Sequence, residues 1–182
     1  LGYGGDRIEF RTTSGKLYAE RVKEGIRLDF PRNKPFPVTP PVEAIKALRV
    51  EKWVDVQYTD TNYKLLIQVE GEDKVRSLNP DLSSFLKAQN PLGWRGAIVT
   101  ARGKKYDFVS RYFAPYMGIN EDPVTGSAHT ALAPYWGAIL KKHKMQAYQA
   151  SKRGGELVVE LSADRVLLTG RCITVLRGTL SY

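Results

Sequence analysis

The spacing of apolar residues divides the chain into short alternating runs and one long apolar block. Ile8, Phe10 and Thr12 share one face of a strand predicted over residues 7–13, and Ser14-Gly15 turns it into a second alternating run from Leu17 to Val22. Glu24-Gly25 turns the chain again into Ile26, Leu28 and Phe30, so three antiparallel strands open the sequence. The segment from Pro31 to Pro41 is rich in proline, which predicts an extended linker and a domain boundary. Beyond it, Val42, Ile45, Ala47 and Leu48 predict a short amphipathic helix. Strands follow at residues 53–58 and 63–69, joined by a turn at Asp60 to Asn62. Asn79-Pro80 starts a second helix through Leu82, Phe85 and Leu86, and residues 96–101 and 106–113 form a hairpin around Arg102-Gly103-Lys104.

The apolar block comes next. Ala128, Ala131, Leu132, Tyr135, Trp136, Ile139 and Leu140 cover most of a helical circumference before Lys141 and Lys142, so a helix over residues 123–141 is predicted to be buried. Pro134 falls inside it and removes an interior hydrogen bond, which predicts a kink or a local break between residues 130 and 134. Four more runs, residues 145–150, 156–161, 166–168 and 172–180, read as strands bounded by Gly, Ser or Asp. Strands on both sides of one buried helix imply an α+β architecture, a mainly antiparallel sheet enclosing that helix, rather than βαβ winding. The three opening strands are too few to bury a core alone and need a sheet partner.

Composition narrows the chemistry. A chain of 182 residues is long enough for one sizeable core or two modest ones. No apolar run approaches a membrane span, and residues 1–5 show neither a basic nor an apolar leader, so a cytoplasmic protein is expected. A single cysteine excludes an intrachain disulfide framework and a cysteine-based zinc site, and His129 and His143 are the only histidines; no metal and no other cofactor is expected. Cys172 lies in a strand-like run, where it reads as a small buried side chain. The net charge of +9 raises nucleic-acid binding as a third reading. The dense basic run, Lys141-Lys142-His143-Lys144, falls where cations complement the carbonyl end of the helix, and no nucleic-acid motif accompanies it.

The chemistry is expected at Glu121-Asp122-Pro123-Val124-Thr125-Gly126-Ser127-Ala128-His129, immediately ahead of the apolar block. Pro123 suits a first helical turn, and Thr125 and Ser127 are hydroxyls able to cap free backbone donors. First-turn N–H groups with the positive end of the dipole behind them, and Gly126 without a side chain, make a cradle for an anion. Asp122 beside it either caps the helix or exchanges protons with whatever the cradle holds. An ordinary capped core helix fits the same residues. Arg111 precedes the stretch closely, as an exposed strand arginine or as help for the anion. Gly154-Gly155 marks either a tight hairpin or a close backbone approach to a ligand.

These residues, with Pro134-Tyr135-Trp136 and Arg153-Gly154-Gly155-Glu156-Leu157, resemble the PhzF-like isomerase family of phenazine biosynthesis. Ser110 to Pro115, Thr13-Ser14-Gly15 and Leu28-Asp29-Phe30-Pro31 extend the likeness over nearly the whole chain, which is most similar to animal and bacterial phenazine biosynthesis-like domain proteins. The resemblance implies a diaminopimelate epimerase-like fold of two similar domains, each a sheet curled around a central helix, with the active site between the two helix starts. On that basis residues 1–37 are strands of an N-terminal barrel domain with the linker. Residues 38–182 are the C-terminal barrel domain around helix 123–141, whose last strand is expected to pack on the first domain.

The resemblance further implies a homodimer and a cofactor-independent proton-shuttle isomerisation of a small carboxylate-bearing substrate. Asp122 and Ser127 would move protons, Gly126 and Ser127 would donate to the substrate's anionic group, and Gly154 and Gly155 would shape the far wall. Epimerase relatives place a cysteine near this helix start; Asp122 here argues for a carboxylate instead. Family members also carry an N-terminal segment with the principal catalytic glutamate and a Gly-His motif, and nothing in this sequence answers to either. A truncated chain is therefore expected, and a non-catalytic form that binds a protein partner stands beside the isomerase.

Overall fold

The computed structural model describes residues 7–12 and 15–179. Three strands lead, β1 (Arg7–Thr12), β2 (Gly15–Val22) and β3 (Gly25–Pro31), followed by a two-residue strand β4 (Phe36–Pro37) and helix α1 (Val42–Ala47). Strands β5 (Asp55–Thr59) and β6 (Lys64–Gln68) precede two short helices, α2 (Glu72–Arg76) and α3 (Leu82–Lys87). Then come β7 (Gly96–Arg102), β8 (Phe108–Phe113), a single 3-10 turn, the long helix α4 (Gly126–Leu140), and β9 (Lys144–Gln149), β10 (Gly155–Ser162) and β11 (Arg165–Gly170).

All these strands join one sheet in the order β1-β2-β3-β11-β10-β9-β8-β7-β6-β5-β4. The pairings are antiparallel except β6 with β7 and β8 with β9, which are parallel. The sheet is thus mainly antiparallel, as its alternating runs predict, but two helical crossovers interrupt the expected absence of βαβ winding. A parallel neighbour cannot be reached by a tight turn, so α2 and α3 carry the chain from β6 to β7, and α4 carries it from β8 to β9.

The two-residue period sorts the core into two layers. Leu65, Ile67, Ala97, Val99 and Ala101 point to one side, where they pack with Ile45, Leu48, Val75, Phe85 and Trp94 beneath α1, α2 and α3. Leu66 and Ile98 point to the other side and pack with Leu132, Trp136, Met145, Val159 and Leu168 around α4. One helix meets seven successive strands. The Tyr135 hydroxyl lies 3.0 Å from Asp55 of β5 and 2.6 Å from Gln68 of β6, and Trp136 Nε1 donates to Thr100 of β7 at 3.0 Å. Phe108 of β8 stacks on Trp136 with ring centroids 5.9 Å apart, and Met145, Val159 and Leu168 bring in β9, β10 and β11. A sheet whose successive strands all reach one rod must curl around it, as predicted.

Helix α4 runs without a break through Pro134. Proline has no N–H, so the carbonyl of Thr130 loses its helical donor. The backbone N–H of Asn33 supplies one at 3.2 Å, and the Asn33 side chain donates to Thr130 Oγ1 at 2.7 Å. The expected break is absent because a distant loop fills the gap.

Several expectations are corrected. Helix α4 begins at Gly126, three residues after Pro123, and α3 begins at Leu82 behind the cap of Asp81, whose carboxylate accepts from Ser84 N, rather than at Asn79-Pro80. Helix α2 carries no apolar period and was not foreseen; Val75 is its buried apolar residue. The proline-rich segment contributes β4, paired with β5. Residues 171–179 form no strand, because β11 already has β3 and β10 on its two edges; Cys172 is exposed, not buried. Thr13-Ser14, residues 1–5 and Leu180 lie outside the described residues. Among the described residues no helix is long and apolar enough to cross a membrane.

Candidate active site

The start of α4 is open because its capping residue is occupied elsewhere. Thr125 is the N-cap, yet its side chain caps nothing: its hydroxyl donates to Asp122 Oδ2 at 2.6 Å. The same oxygen accepts from Gln149 Nε2 at 3.1 Å, so the rotamer that serves Asp122 and Gln149 makes no bond to a first-turn N–H. The Thr125 N–H donates to Gln149 Oε1 at 2.8 Å, while Gln149 Nε2 donates to the Asp122 carbonyl at 2.6 Å. Gln149 of β9 is fully buried, so this clamp is fixed from within the sheet. The N–H groups of Ala128 and His129 turn back to the Thr125 carbonyl at 3.2 and 3.3 Å. Among the described residues no acceptor meets the N–H of Gly126 or of Ser127. The expectation that Thr125 and Ser127 cap the helix is therefore corrected, and two first-turn donors remain for an outside acceptor.

Asp122 does not cap the helix directly either. Its backbone N–H donates to the Tyr112 carbonyl at 3.1 Å, which hangs the loop on the end of β8. Glu121 is held by Arg111 through two hydrogen bonds of 2.6 and 2.9 Å, and Arg111 also donates to the Leu78 carbonyl at 2.6 Å. Arg111 is thus neither a free strand arginine nor an anion ligand; it ties the loop to the outer layer.

The glycine pair is brought to the same place. Ser151 Oγ donates to the Pro123 carbonyl at 2.8 Å and accepts from Gly154 N at 3.0 Å, so the β9–β10 turn docks on the loop. Gly154 sits at φ 73°, and a Cβ on Gly155 would collide with Val124 Cγ2. The hairpin reading holds, and the close approach that Gly155 makes is to Val124 of the site loop rather than to a ligand. Asp122 and Gly126 are half-buried and Ser127 is exposed.

Three residues escaped the sequence reading. Lys64 is 6% exposed and lies on the α4 face of β6, alternating with Leu66 and Gln68. Its ammonium donates to Tyr112 Oη at 3.3 Å and to the Asn62 carbonyl at 3.4 Å. Burial lowers its pKa to about 8; the negative field of Asp122 raises it and Arg95 lowers it further. Tyr112 is pushed up to about 12 by burial and then by Asp122. Asn62 reaches across to donate to the Ser127 carbonyl at 2.9 Å. The available signal was a lysine at an inward position of a run otherwise apolar, Lys64-Leu65-Leu66-Ile67.

His129 is wholly buried one turn inside the helix. Its Nδ1 lies 2.8 Å from the Thr125 carbonyl and therefore carries the proton, leaving Nε2 without a partner. Burial lowers its pKa to about 4. Among the described residues no three His, Cys, Asp or Glu side chains converge as a metal site would require. In the basic run after α4, Lys142 pairs with Asp107 at 2.6 Å and Lys144 with Glu160 at 3.7 Å.

Comparison with known proteins places this geometry. The sequence profile of the phenazine biosynthesis-like proteins, PhzC-PhzF, matches residues 1–178. A Pseudomonas aeruginosa protein described as an uncharacterized isomerase is 45% identical over 176 residues, covering 97% of this chain and 65% of the relative. A crystal structure of a PhzC/PhzF protein from Clostridium difficile superposes with a TM-score of 0.83 at 34% identity, over 99% of this chain and 67% of that one. A predicted epimerase of Pseudomonas aeruginosa, at 19% identity and a TM-score of 0.64, shares the fold. The chain spans about two thirds of the length of its curated relatives, 65% for the Pseudomonas isomerase. An open helix start in the lap of a curled, epimerase-like sheet and a profile match along almost the entire sequence agree: the chain belongs to the PhzC-PhzF family of phenazine biosynthesis-like proteins.

Proposed function

We propose that this chain is the anion-holding half of a cofactor-independent isomerase, which moves a proton within a small carboxylate-bearing substrate. The observation that carries the reading is the pair of unclaimed N–H groups at Gly126 and Ser127, one residue beyond a cap whose hydroxyl is spent on Asp122. The substrate carboxylate takes those two donors, where the helix dipole favours negative charge. Asp122 and the Ser127 hydroxyl then stand beside the carbon next to that carboxylate and relay the proton. Gly154 and Gly155 form the wall behind the loop, where a Cβ on Gly155 would strike Val124 and one on Gly154 would strike the Tyr148 hydroxyl.

The test is proton exchange. Incubated in D2O with a panel of small cyclic and amino-acid-like carboxylic acids, a full-length protein that contains this chain is expected to replace a C–H proton of its substrate with deuterium, as read by NMR. Asp122→Asn is expected to slow that exchange with the helix intact. Full conversion of a panel acid with no label incorporated overturns the shuttle.

One observation favours a second reading as a non-catalytic interaction protein. Ile173, Val175 and Leu176 are 89, 93 and 85% exposed on residues 171–179. Saturable binding of a protein partner, lost on Ile173→Ser with Leu176→Ser, combined with no response to any panel acid, selects it.

A further inference from the structure

The energetic oddity of the inner layer is Lys64. Its neighbours on the same face of β6 are Leu66 and Gln68, and a methionine in its place would fill the same space without carrying a charge into the sheet. Its two acceptors, Tyr112 Oη and the Asn62 carbonyl, are neutral and lie at the long end of hydrogen-bonding distance, 3.3 and 3.4 Å. Among the described residues no carboxylate comes within 4.0 Å of its ammonium; Asp122 attracts it only from farther off, which leaves a buried cation without a contact ion pair. Such a group is costly unless something negative joins it.

The charged groups around it come from three elements. Tyr112 of β8 lies against the ammonium with its ring centroid at 4.8 Å; Asp122, on the loop before α4, attracts it; Arg95, ahead of β7, repels it. Lys64 is also linked to the helix start itself. Its Asn62 partner donates through Nδ2 to the Ser127 carbonyl at 2.9 Å. The cation and the two free donors of Gly126 and Ser127 therefore belong to one connected patch, to which Asp122 is tied through the Thr125 hydroxyl.

We propose that Lys64 is the counter-charge of the anion site: a positioning residue whose buried ammonium, steadied by Tyr112 and Asn62, tightens the hold of the α4 start on a substrate carboxylate. The inference rests on the reading of Gly126 and Ser127 as the anion-binding donors, and it adds the source of the site's charge. In a partly dehydrated pocket a unit charge acts across several ångströms, so Lys64 need not touch the ligand. The ligand it favours is an acid ionised at neutral pH, and its influence fades once the amine loses its proton. Burial lowers the Lys64 pKa from the usual lysine range to about 8, which puts that loss in the alkaline range above neutrality.

The probe is acetate, titrated into the chain at constant ionic strength and followed by 13C-detected carbonyl shifts of Thr125 and Gly126. Expected are saturable shifts in the unaltered protein, affinity lower by about tenfold in Lys64→Met, and recovery of most of that loss in Lys64→Arg, which keeps the charge. The unaltered protein should also bind progressively less acetate from pH 7 to pH 9.5, and Lys64→Met should bind equally across that range. A merely structural lysine would not produce the pH dependence or the recovery by arginine. Equal acetate affinity in the unaltered chain and Lys64→Met overturns the role of Lys64 and leaves the helix start as the anion site. If Lys64→Met does not fold, a flat pH profile of the unaltered chain overturns it equally. No saturable shift in the unaltered chain overturns the anion reading of Gly126 and Ser127 and the role of Lys64 together.

Discussion

The two faces of the sheet are built to different rules. The outer layer, under α1, α2 and α3, is almost wholly apolar, and its buried charge, Glu72, is answered by Arg76 at 2.6 Å and by the Lys104 N–H at 2.6 Å. The inner layer around α4 buries Lys64, Thr125, His129, Thr130 and Gln149 near one end of the helix, and two of these keep unmet groups, the Lys64 charge and His129 Nε2. Apolar packing is cheap and forgiving, whereas polar groups sealed in a sheet must be matched or they weaken the fold. The outer layer leaves one neutral donor unpaired, Trp94 Nε1, whereas the inner layer gathers a cation and an unpaired imidazole nitrogen at one end of α4, and that concentration marks where the molecule gives up stability for something else.

The difference can be pushed at each layer in turn. The largest effect is expected from Phe85→Ala, which empties a fully buried site of the outer layer: about 3–5 kcal/mol of stability lost in urea unfolding, with the pH dependence of stability unchanged. A drop accompanied by an altered pH profile would mean that the layers are not separable. Next come the two inner titrations. His129 has its pKa lowered to about 4 from 6.5, so the unfolded chain binds the proton first. Stability therefore falls as pH drops from about 6.5 to 4, by roughly 3 kcal/mol at most. His129→Gln should flatten that window.

Lys64, lowered from 10.5 to about 8, works at the other end. Its charge is disfavoured in the fold, so the penalty is present below about pH 8 and is relieved as pH rises towards 10.5. Lys64→Met is accordingly expected to raise the unfolding free energy at pH 7 by roughly 1–3 kcal/mol while weakening anion binding. A destabilised Lys64→Met would refute the trade. Smaller again, Gly155→Ala should cost about 1–2 kcal/mol by pressing on Val124, with recovery in the double variant Gly155→Ala, Val124→Ala; additive losses would separate the turn from the site loop. The smallest, Asn33→Ala, removes the bond to Thr130 Oγ1 but keeps the backbone donor, so about 1 kcal/mol is expected in thermal unfolding.

What the sequence shows and hides follows the same division. Alternation in residues 17–22 and 26–30 identifies strands, residues 96–101 read as a strand from a short apolar run buried on both faces, and the block from Ala128 to Leu140 identifies α4 because it is buried on nearly every side. The motif from Glu121 to His129 locates the site, since turn residues ahead of an apolar helix are a local signal. Partners drawn from far away leave no such mark. Gln149 clamps the cap from β9, Arg111 chooses Glu121 and Leu78, and β3 pairs with β11, Asp29 opposite Leu167, across most of the chain. Helix α2 is too short to show a period, and the apolar spacing at 172–176 reads as a strand although β11, just before it, already has a neighbour on each side. Lys64 was visible as an inward lysine, but only once the face of β6 was known.

The proline in α4 reaches further than its own turn. A rod that borrows a donor from Asn33, 97 positions upstream of Thr130, is not self-sufficient: its middle is finished only when that loop arrives. The open end that offers Gly126 and Ser127 to a ligand and the mended middle one turn later should therefore loosen together. Amide hydrogen exchange ought to register residue 33 and the first half of α4 as one cooperative unit, so that a mutation in the loop is felt by whatever is docked at the helix's tip.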